Sequence, residues 1–70
     1  MDHLCRLTTR ESEILDLLAV GKSNKHIANE LCITIRTVKF HTTNLYVKLA
    51  VGSRSEAIAW AWKQREIRKS

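Results

Sequence analysis

Four hydroxyl-bearing residues, each placed directly before a segment whose apolar residues recur at helical spacing, divide this chain into four short helices. These residues are Thr8, Ser23, Thr34 and Ser53. A hydroxyl at such a position accepts a hydrogen bond from a backbone N–H that the first helical turn leaves unpaired. No proline occurs among the 70 residues, which favours helices throughout. The pattern predicts an all-α fold, with helices at about 9–20, 24–31, 35–50 and 54–67.

The ends of the helices carry further signals. Two of the caps are followed three residues later by a glutamate, Glu11 and Glu56, which is the capping-box spacing. Gly21 and Gly52 are expected to end the first and third helices, because glycine adopts a positive φ without strain. Residues 1–6 have no periodic pattern and are expected to be a frayed start or the remnant of a linker.

The spacing of apolar residues also predicts which face of each helix is buried. In the first three helices the predicted buried residues are Ile14, Leu15, Leu17, Leu18, Ile27, Ala28, Leu31, Val38, Thr42, Leu45 and Leu49. In the fourth helix, Ile58, Ala61, Trp62 and Arg65 share one face. Trp60 is predicted to point roughly the opposite way. Cys32, between two apolar neighbours, is predicted to be buried as a small hydrophobic residue.

Composition limits the partners of this chain. Seventy residues, 44% hydrophobic and 27% charged, are typical of one small folded domain, here residues 1–70. The net charge of +5 favours an anionic partner, and nucleic acid is the commonest one for a compact basic domain. No apolar run approaches the roughly 20 residues that cross a bilayer, and no signal peptide is visible. We therefore expect a cytoplasmic protein without a membrane partner.

The inventory of reactive residues does not predict an enzyme or a metal protein. There is no nucleophile beside a base, no pair of carboxylates in an apolar setting and no glycine-rich phosphate loop. A zinc site needs about four ligands at close spacing. The potential ligands are scattered: His3, Cys5, His26, Cys32 and His41. No catalytic residue, metal or cofactor is therefore expected.

The third predicted helix has an unusual outward face. Opposite its buried stripe lie Arg36, Lys39, Phe40, Thr43 and Val47, and no Asp or Glu occurs between Glu30 and Glu56. Such a face fits the major groove of DNA, where cations meet phosphates or guanine and apolar groups meet thymine methyls. The alternatives are a basic surface helix without a partner, or a protein-interaction module that uses the exposed Phe40, Val47 and Trp60.

The order of these elements resembles the LuxR-type (GerE-like, FixJ/NarL-type) helix-turn-helix domain of bacterial transcription regulators. The matching segments are LTTRESEILDLLAVGKSNKHIANEL at 7–31, Ile33-Thr34, TVKFH at 37–41, Asn44-Leu45, Lys48-Leu49 and SRSEA at 53–57. A sigma-factor DNA-contacting region shares the helix arrangement, but the capping box at Thr8 and the SRSEA segment favour the LuxR type. The resemblance implies four helices, with the second and third forming the helix-turn-helix.

The resemblance also implies roles for individual residues. Positions matching Lys39, Phe40 and Thr43 face base edges, and Val47 lies on the same face. Phosphate contacts are expected from Asn24, Lys25, Thr34, Arg36, Thr37, Lys48 and Arg54. The fourth helix commonly supports dimerisation, which makes Trp60 the candidate dimer contact. The implied partner is double-stranded DNA, bound by a homodimer at a pseudo-palindromic site, with RNA polymerase a candidate second partner.

This sequence departs from the family pattern at two of those positions. Phe40 stands where a small aliphatic residue is common, and Thr43 offers only a short hydroxyl. The Phe40 ring either contacts thymine methyls, or its bulk tilts the helix away from the bases. The reading without DNA contact is that the ring packs against a neighbouring helix or a dimer partner. The base preference of relatives therefore does not transfer directly to this chain.

Overall fold

A computed structural model describes the backbone of residues 7–69 and the side chains of residues 7–64. Within this part the chain is all-α. The helices are α1 (Thr9–Ala19), α2 (Asn24–Leu31), α3 (Ile35–Leu49) and α4 (Arg54–Lys69). Every predicted helix is present and starts at the predicted residue, and the ends of α1, α3 and α4 differ from the predicted ones by one or two residues. The expected frayed start at 1–6 lies outside the described residues.

The predicted N-caps of the first three helices are confirmed. The Thr8 hydroxyl accepts from the backbone N–H of Glu11, and the Glu11 carboxylate accepts from the N–H of Thr8, which completes a capping box. Ser23 and Thr34 accept in the same way from residues three positions later.

At the start of α4 the capping differs slightly from the expectation. Ser53 Oγ accepts from the N–H of Glu56 at 3.3 Å, as predicted. The Glu56 carboxylate, however, accepts from the N–H of Gly52 at 2.9 Å, one residue before the cap. The glutamate therefore secures the turn that enters the helix.

Three helices end through a left-handed residue, but only one of those residues is glycine. Gly21 has φ +87° and ends α1 as predicted. Cys32 (φ 59°) ends α2, and Ala50 (φ 58°) ends α3 in place of the predicted Gly52. Cys32 is exposed, so the prediction of a buried cysteine was wrong. Its position is set by the turn and not by its apolar sequence neighbours.

The hydrophobic core lies where all four helices meet. Its fully buried side chains come from each helix, namely Ile14, Leu18, Ile27, Val38, Leu45 and Ala57. α1 packs against α3 and α4, and α2 packs against α3. The predicted stripe of α3 is confirmed, with Val38, Thr42, Leu45 and Leu49 buried. No helix in the described part of the chain is long and apolar enough to cross a membrane.

Ala61 is buried and Ile58 packs against the core, as predicted for this face of α4, but both tryptophans differ from the prediction. The side chain of Arg65 lies outside the described residues. Trp62, assigned to the core face, is 48% exposed, although its Nε1–H donates to the carbonyl of Ala19 at 3.0 Å. Trp60, assigned to the opposite side, is half-buried and packs against the core. The two alanines, Ala57 and Ala61, form the buried line of the helix. Small side chains on a buried line allow a neighbouring helix to approach closely, and α4 packs against α1.

One buried carboxylate joins two distant ends of the fold. Glu11 is only 3% exposed, and its Oε1 accepts both from the N–H of Thr8 and from Lys48 Nζ at 2.8 Å. Burial alone raises the pKa of this carboxyl, but the hydrogen bonds from Lys48 and Thr8 outweigh burial and hold the pKa below its ordinary value of 4.5. The contact fastens the first turn of α1 to the last turn of α3.

Glu11→Gln is expected to lower the free energy of unfolding at pH 7 by about 1–2 kcal/mol, because it removes the charged partner of Lys48 and keeps an oxygen for Thr8. Denaturant unfolding followed by circular dichroism measures this loss. The matched control is Glu13→Gln. Glu13 pairs with Arg10 on the exposed surface of the same helix, so this change should cost less than about 0.5 kcal/mol.

The parent protein and the Glu11→Gln variant also test the direction of the Glu11 pKa shift. Since the folded-state pKa lies below 4.5, the contribution of Glu11 is fully present above that pH and is lost as the pH falls through the folded-state value. The difference in stability between the parent and Glu11→Gln should therefore shrink in acid. A difference that stays constant from pH 7 to pH 3 would contradict the assignment.

Candidate nucleic-acid interface

The outward face of α3 is built as the sequence predicted. Lys39, Phe40, Thr43 and Val47 are all exposed, and Arg36 lies exposed in the first turn. Phe40 is 63% exposed and Val47 is 75% exposed, the two largest values among the big apolar side chains of the described residues. An apolar surface of this kind, beside cations and without carboxylates, fits a groove lined by phosphates and base edges better than it fits water.

Most of the Phe40 side chain is exposed. Its ring meets that of His41 in an edge-on arrangement, with centroids 5.5 Å apart and planes inclined at 66°. His41 is half-buried at the border of the core face. The ring of Phe40 is thus supported from within its own helix and still directed to the surface.

The hydroxyl of Thr43 is not directed outward. Thr43 Oγ1 donates to the carbonyl of Lys39 at 2.9 Å, and the same carbonyl accepts from Thr42 Oγ1, also at 2.9 Å. Both hydroxyl protons are therefore bound to the helix backbone. Sequence analysis placed Thr43 on the correct face but did not show which of its groups is available.

The beginning of α3 combines a cap with a pair of hydroxyls. Thr34 Oγ1 accepts from the N–H of Thr37 at 3.0 Å and lies 2.9 Å from Thr37 Oγ1. The N–H groups of Ile35 and Arg36 precede the first intrahelical bond and are directed out of the helix end. Together with the positive end of the helix dipole, they form a surface suited to an anion.

Arg54, predicted to contact phosphate, is bound inside the protein. Its guanidinium donates to the side-chain oxygen of Asn24 at 3.3 Å and to the carbonyl of Lys22. These contacts fasten the first turn of α4 to the first turn of α2. They also use the amide oxygen of Asn24, another predicted phosphate contact, while Lys25 beside it remains exposed.

Lys48 is likewise engaged with the protein through Glu11. Four of the predicted phosphate contacts lie at the exposed starts of α2 and α3, namely Lys25, Thr34, Arg36 and Thr37. Lys48 and Arg54 instead lie at helix junctions. Lys48 binds the carboxylate of Glu11, 37 residues away in the chain. Arg54 binds the loop carbonyl of Lys22, 32 residues away. No local sequence signal reveals either partner.

Trp60, the predicted dimer contact, is half-buried, and the assignment remains a prediction. The exposed apolar residues near this end of the fold are Trp62 and Val20. Among residues 7–64, no group of three His, Cys, Asp or Glu side chains is placed to hold a metal ion.

Comparison with known proteins adds a family match. The profile of the family described as "Bacterial regulatory proteins, luxR family" matches residues 6–61. This span includes the helix-turn-helix of α2 and α3 and the first half of α4.

Individual relatives agree with this match. The chain is 56% identical over 61 residues to the transcriptional regulatory protein LiaR of Bacillus subtilis, which covers 87% of this chain and 29% of LiaR. It is 51% identical over 55 residues to the CsgBAC operon transcriptional regulatory protein of Escherichia coli, a match that covers 79% of this chain and 26% of that protein. It is 48% identical over 61 residues to the response regulator protein VraR of Staphylococcus aureus, which covers 87% of this chain and 29% of VraR. The chain spans less than a third of each relative.

Arg54→Lys tests whether this side chain fastens α4 to α2. Lysine keeps the charge but lacks the planar guanidinium, whose two terminal nitrogens donate separately to Asn24 and to Lys22. We expect the free energy of unfolding to fall by about 1–2 kcal/mol in denaturant titrations. The control is Arg36→Lys at the exposed start of α3, expected within about 0.5 kcal/mol of the parent. Equal stability of both variants would show that Arg54 is only a surface cation.

Proposed function

The chain belongs to the luxR family of bacterial regulatory proteins and has the four-helix fold with a DNA-binding helix-turn-helix; we propose that it is a sequence-specific binder of double-stranded DNA that regulates transcription. In this proposal α3 enters the major groove. The observation that carries it is the outward face of α3, which is exposed, cationic and partly apolar, in a segment from residue 31 to 55 that has no acidic residue. Binding to the bacterial chromosome places the protein in the cytoplasm.

Phosphate contacts are assigned to the starts of the two helices of the helix-turn-helix. Thr34 and Thr37 border the N-terminus of α3, Arg36 extends from its first turn, and Lys25 extends from the first turn of α2. Hydroxyls, outward N–H groups and the helix dipole at such ends bind anions. Lys48 and Arg54 keep these helices in place, and Asn24 contributes through Arg54.

Base contacts are assigned to the middle of α3. Lys39, the cationic side chain near the middle of that face, is assigned to the O6 and N7 acceptors of guanine. Phe40, Thr43 and Val47 lie beside it. The phosphate contacts position the helix, and this second group of residues determines the sequence that is bound.

We further propose that the domain binds as a homodimer to a pseudo-palindromic site, with Trp60 a candidate contact between the subunits. Support comes from the geometry of helix-turn-helix proteins, in which two copies occupy half-sites about one helical turn apart. A contact with RNA polymerase is a candidate further interaction for a regulator of this kind.

Selection of random duplexes with the purified domain is expected to enrich a two-fold symmetric sequence. Affinity for that sequence should fall with salt at a log–log slope near −0.9Z, where Z is the number of phosphates neutralised. Gel-shift or fluorescence anisotropy titrations at several salt concentrations give the slope. Binding of no duplex at low salt would contradict the proposal and favour the protein-interaction alternative, which predicts little response to salt.

Lys39→Ala is expected to weaken binding to the selected site by about 1–3 kcal/mol and to relax specificity at one base pair. Anisotropy titrations on the selected site and on its single-base variants measure both effects. Lys63→Ala, which removes an exposed lysine from α4, is the control and should change neither. Equal weakening on all sequences by Lys39→Ala would make Lys39 a phosphate contact.

A further inference from the structure

The outward face of α3 has one cation near its middle but three groups in a line that offer no hydrogen-bond donor. Phe40, Thr43 and Val47 follow one another at spacings of three and four residues, so they form a single stripe along the helix. Two of them are the most exposed large apolar side chains in the described part of the chain. The middle member, Thr43, determines whether the stripe is polar or apolar.

Thr43 belongs to the apolar stripe because of where its proton goes. The hydroxyl donates back to the carbonyl of Lys39 at 2.9 Å, one turn earlier in the helix. A threonine Cβ carries only a hydroxyl, a methyl and a hydrogen besides the backbone. With the hydroxyl turned to the helix, the methyl is the group left to approach a surface outside. The stripe therefore presents three apolar groups in order along the helix, namely the ring of Phe40, the methyl group of Thr43 and the methyl groups of Val47.

We propose that α3 recognises its DNA site through the 5-methyl groups of thymine, which Phe40, the methyl of Thr43 and Val47 contact along the major groove. The inference rests on the proposed DNA-binding function and specifies the chemistry of its base readout. The 5-methyl group of thymine is the apolar feature that the bases of unmodified DNA present in the major groove. An exposed apolar stripe on a helix that enters this groove has no other apolar counterpart among the bases.

The length of the stripe fits a short thymine-containing segment. From Phe40 to Val47 the helix rises by about 10 Å, at about 1.5 Å for each residue. Successive base pairs are about 3.4 Å apart, so the stripe spans about three steps. Phe40, anchored edge-on against His41, offers the broadest surface and is expected to contribute most. Lys39 lies beside this segment and is assigned to a neighbouring guanine.

The test removes the methyl groups from the DNA and leaves every base pair intact. A site is first selected from random duplexes with the 70-residue chain, and each thymine of a half-site is then replaced by uracil, which lacks only the 5-methyl group. Anisotropy titrations at fixed salt compare the duplexes. We expect at least one uracil to weaken binding by about fourfold, the factor for one lost buried methyl-sized group.

Two variants at position 43 separate the methyl from the hydroxyl. Thr43→Val keeps a methyl and lacks the hydroxyl, and it should bind the thymine site within about twofold of the parent. Thr43→Ser keeps the hydroxyl and lacks the methyl. It should bind the thymine site about fourfold more weakly and should no longer respond to the uracil that Thr43 contacts. Circular dichroism of each variant confirms that the helices are retained.

The outcomes distinguish this inference from the function on which it depends. A site bound tightly, with a steep salt slope and no response to any uracil, would overturn the methyl readout and leave DNA binding intact. A selected half-site without thymine would do the same. Loss of binding in Thr43→Val with retention in Thr43→Ser would assign the contact to the hydroxyl and overturn the inference. Absence of binding to every duplex would overturn both proposals.

Discussion

The hydrogen bonds of the Glu11 carboxylate determine how the outward face of α3 is held. One oxygen of this buried group accepts from the N–H of Thr8 and from the ammonium of Lys48. The first bond starts α1, and the second fixes the last turn of α3 against it. A buried carboxylate without these partners would be costly, so the Thr8 N–H and the Lys48 ammonium together stabilise the burial of Glu11. The orientation of α3 relative to α1 thus depends on an interaction outside the outward face of α3.

Arg54 fixes the position of α2, as Glu11 fixes that of α3. Its guanidinium group joins the first turn of α4 to the loop before α2 and to the first residue of α2. Lys48 and Arg54, two cations that the family resemblance assigns to phosphate, thus connect helices within the protein. Core packing alone determines the relative orientation of the helices only weakly, because a 70-residue domain buries a modest share of its surface. Charged hydrogen bonds at the two junctions supply the missing constraint, since their geometry is directional.

The features that could be predicted from the sequence are those set by residues close together in the chain. The caps at Thr8, Ser23 and Thr34 and the buried stripe of α3 are local properties, and the structure confirms them. The sequence did not predict the left-handed turns at Cys32 and Ala50, because a non-glycine residue with positive φ is strained in isolation. The strain is offset by the bonds that follow, from Ile33 N–H to the Ala28 carbonyl and from Val51 N–H to the Tyr46 carbonyl.

The remaining errors concern contacts between distant segments. In α4 the sequence predicts Trp62 on the buried face with Ile58 and Ala61, yet Trp62 is exposed and Ala57 is buried with Ala61. The buried side of α4 depends on its packing against α1, which is distant in the sequence. The same limit holds on the outward face of α3, where a helical wheel places Thr43 correctly but cannot show that its hydroxyl proton is bound to the carbonyl of Lys39. That bond uses the hydrogen-bond donor of the Thr43 side chain. The groups that a helix face offers to a partner therefore depend on hydrogen bonds within the helix as well as on which residues lie on that face.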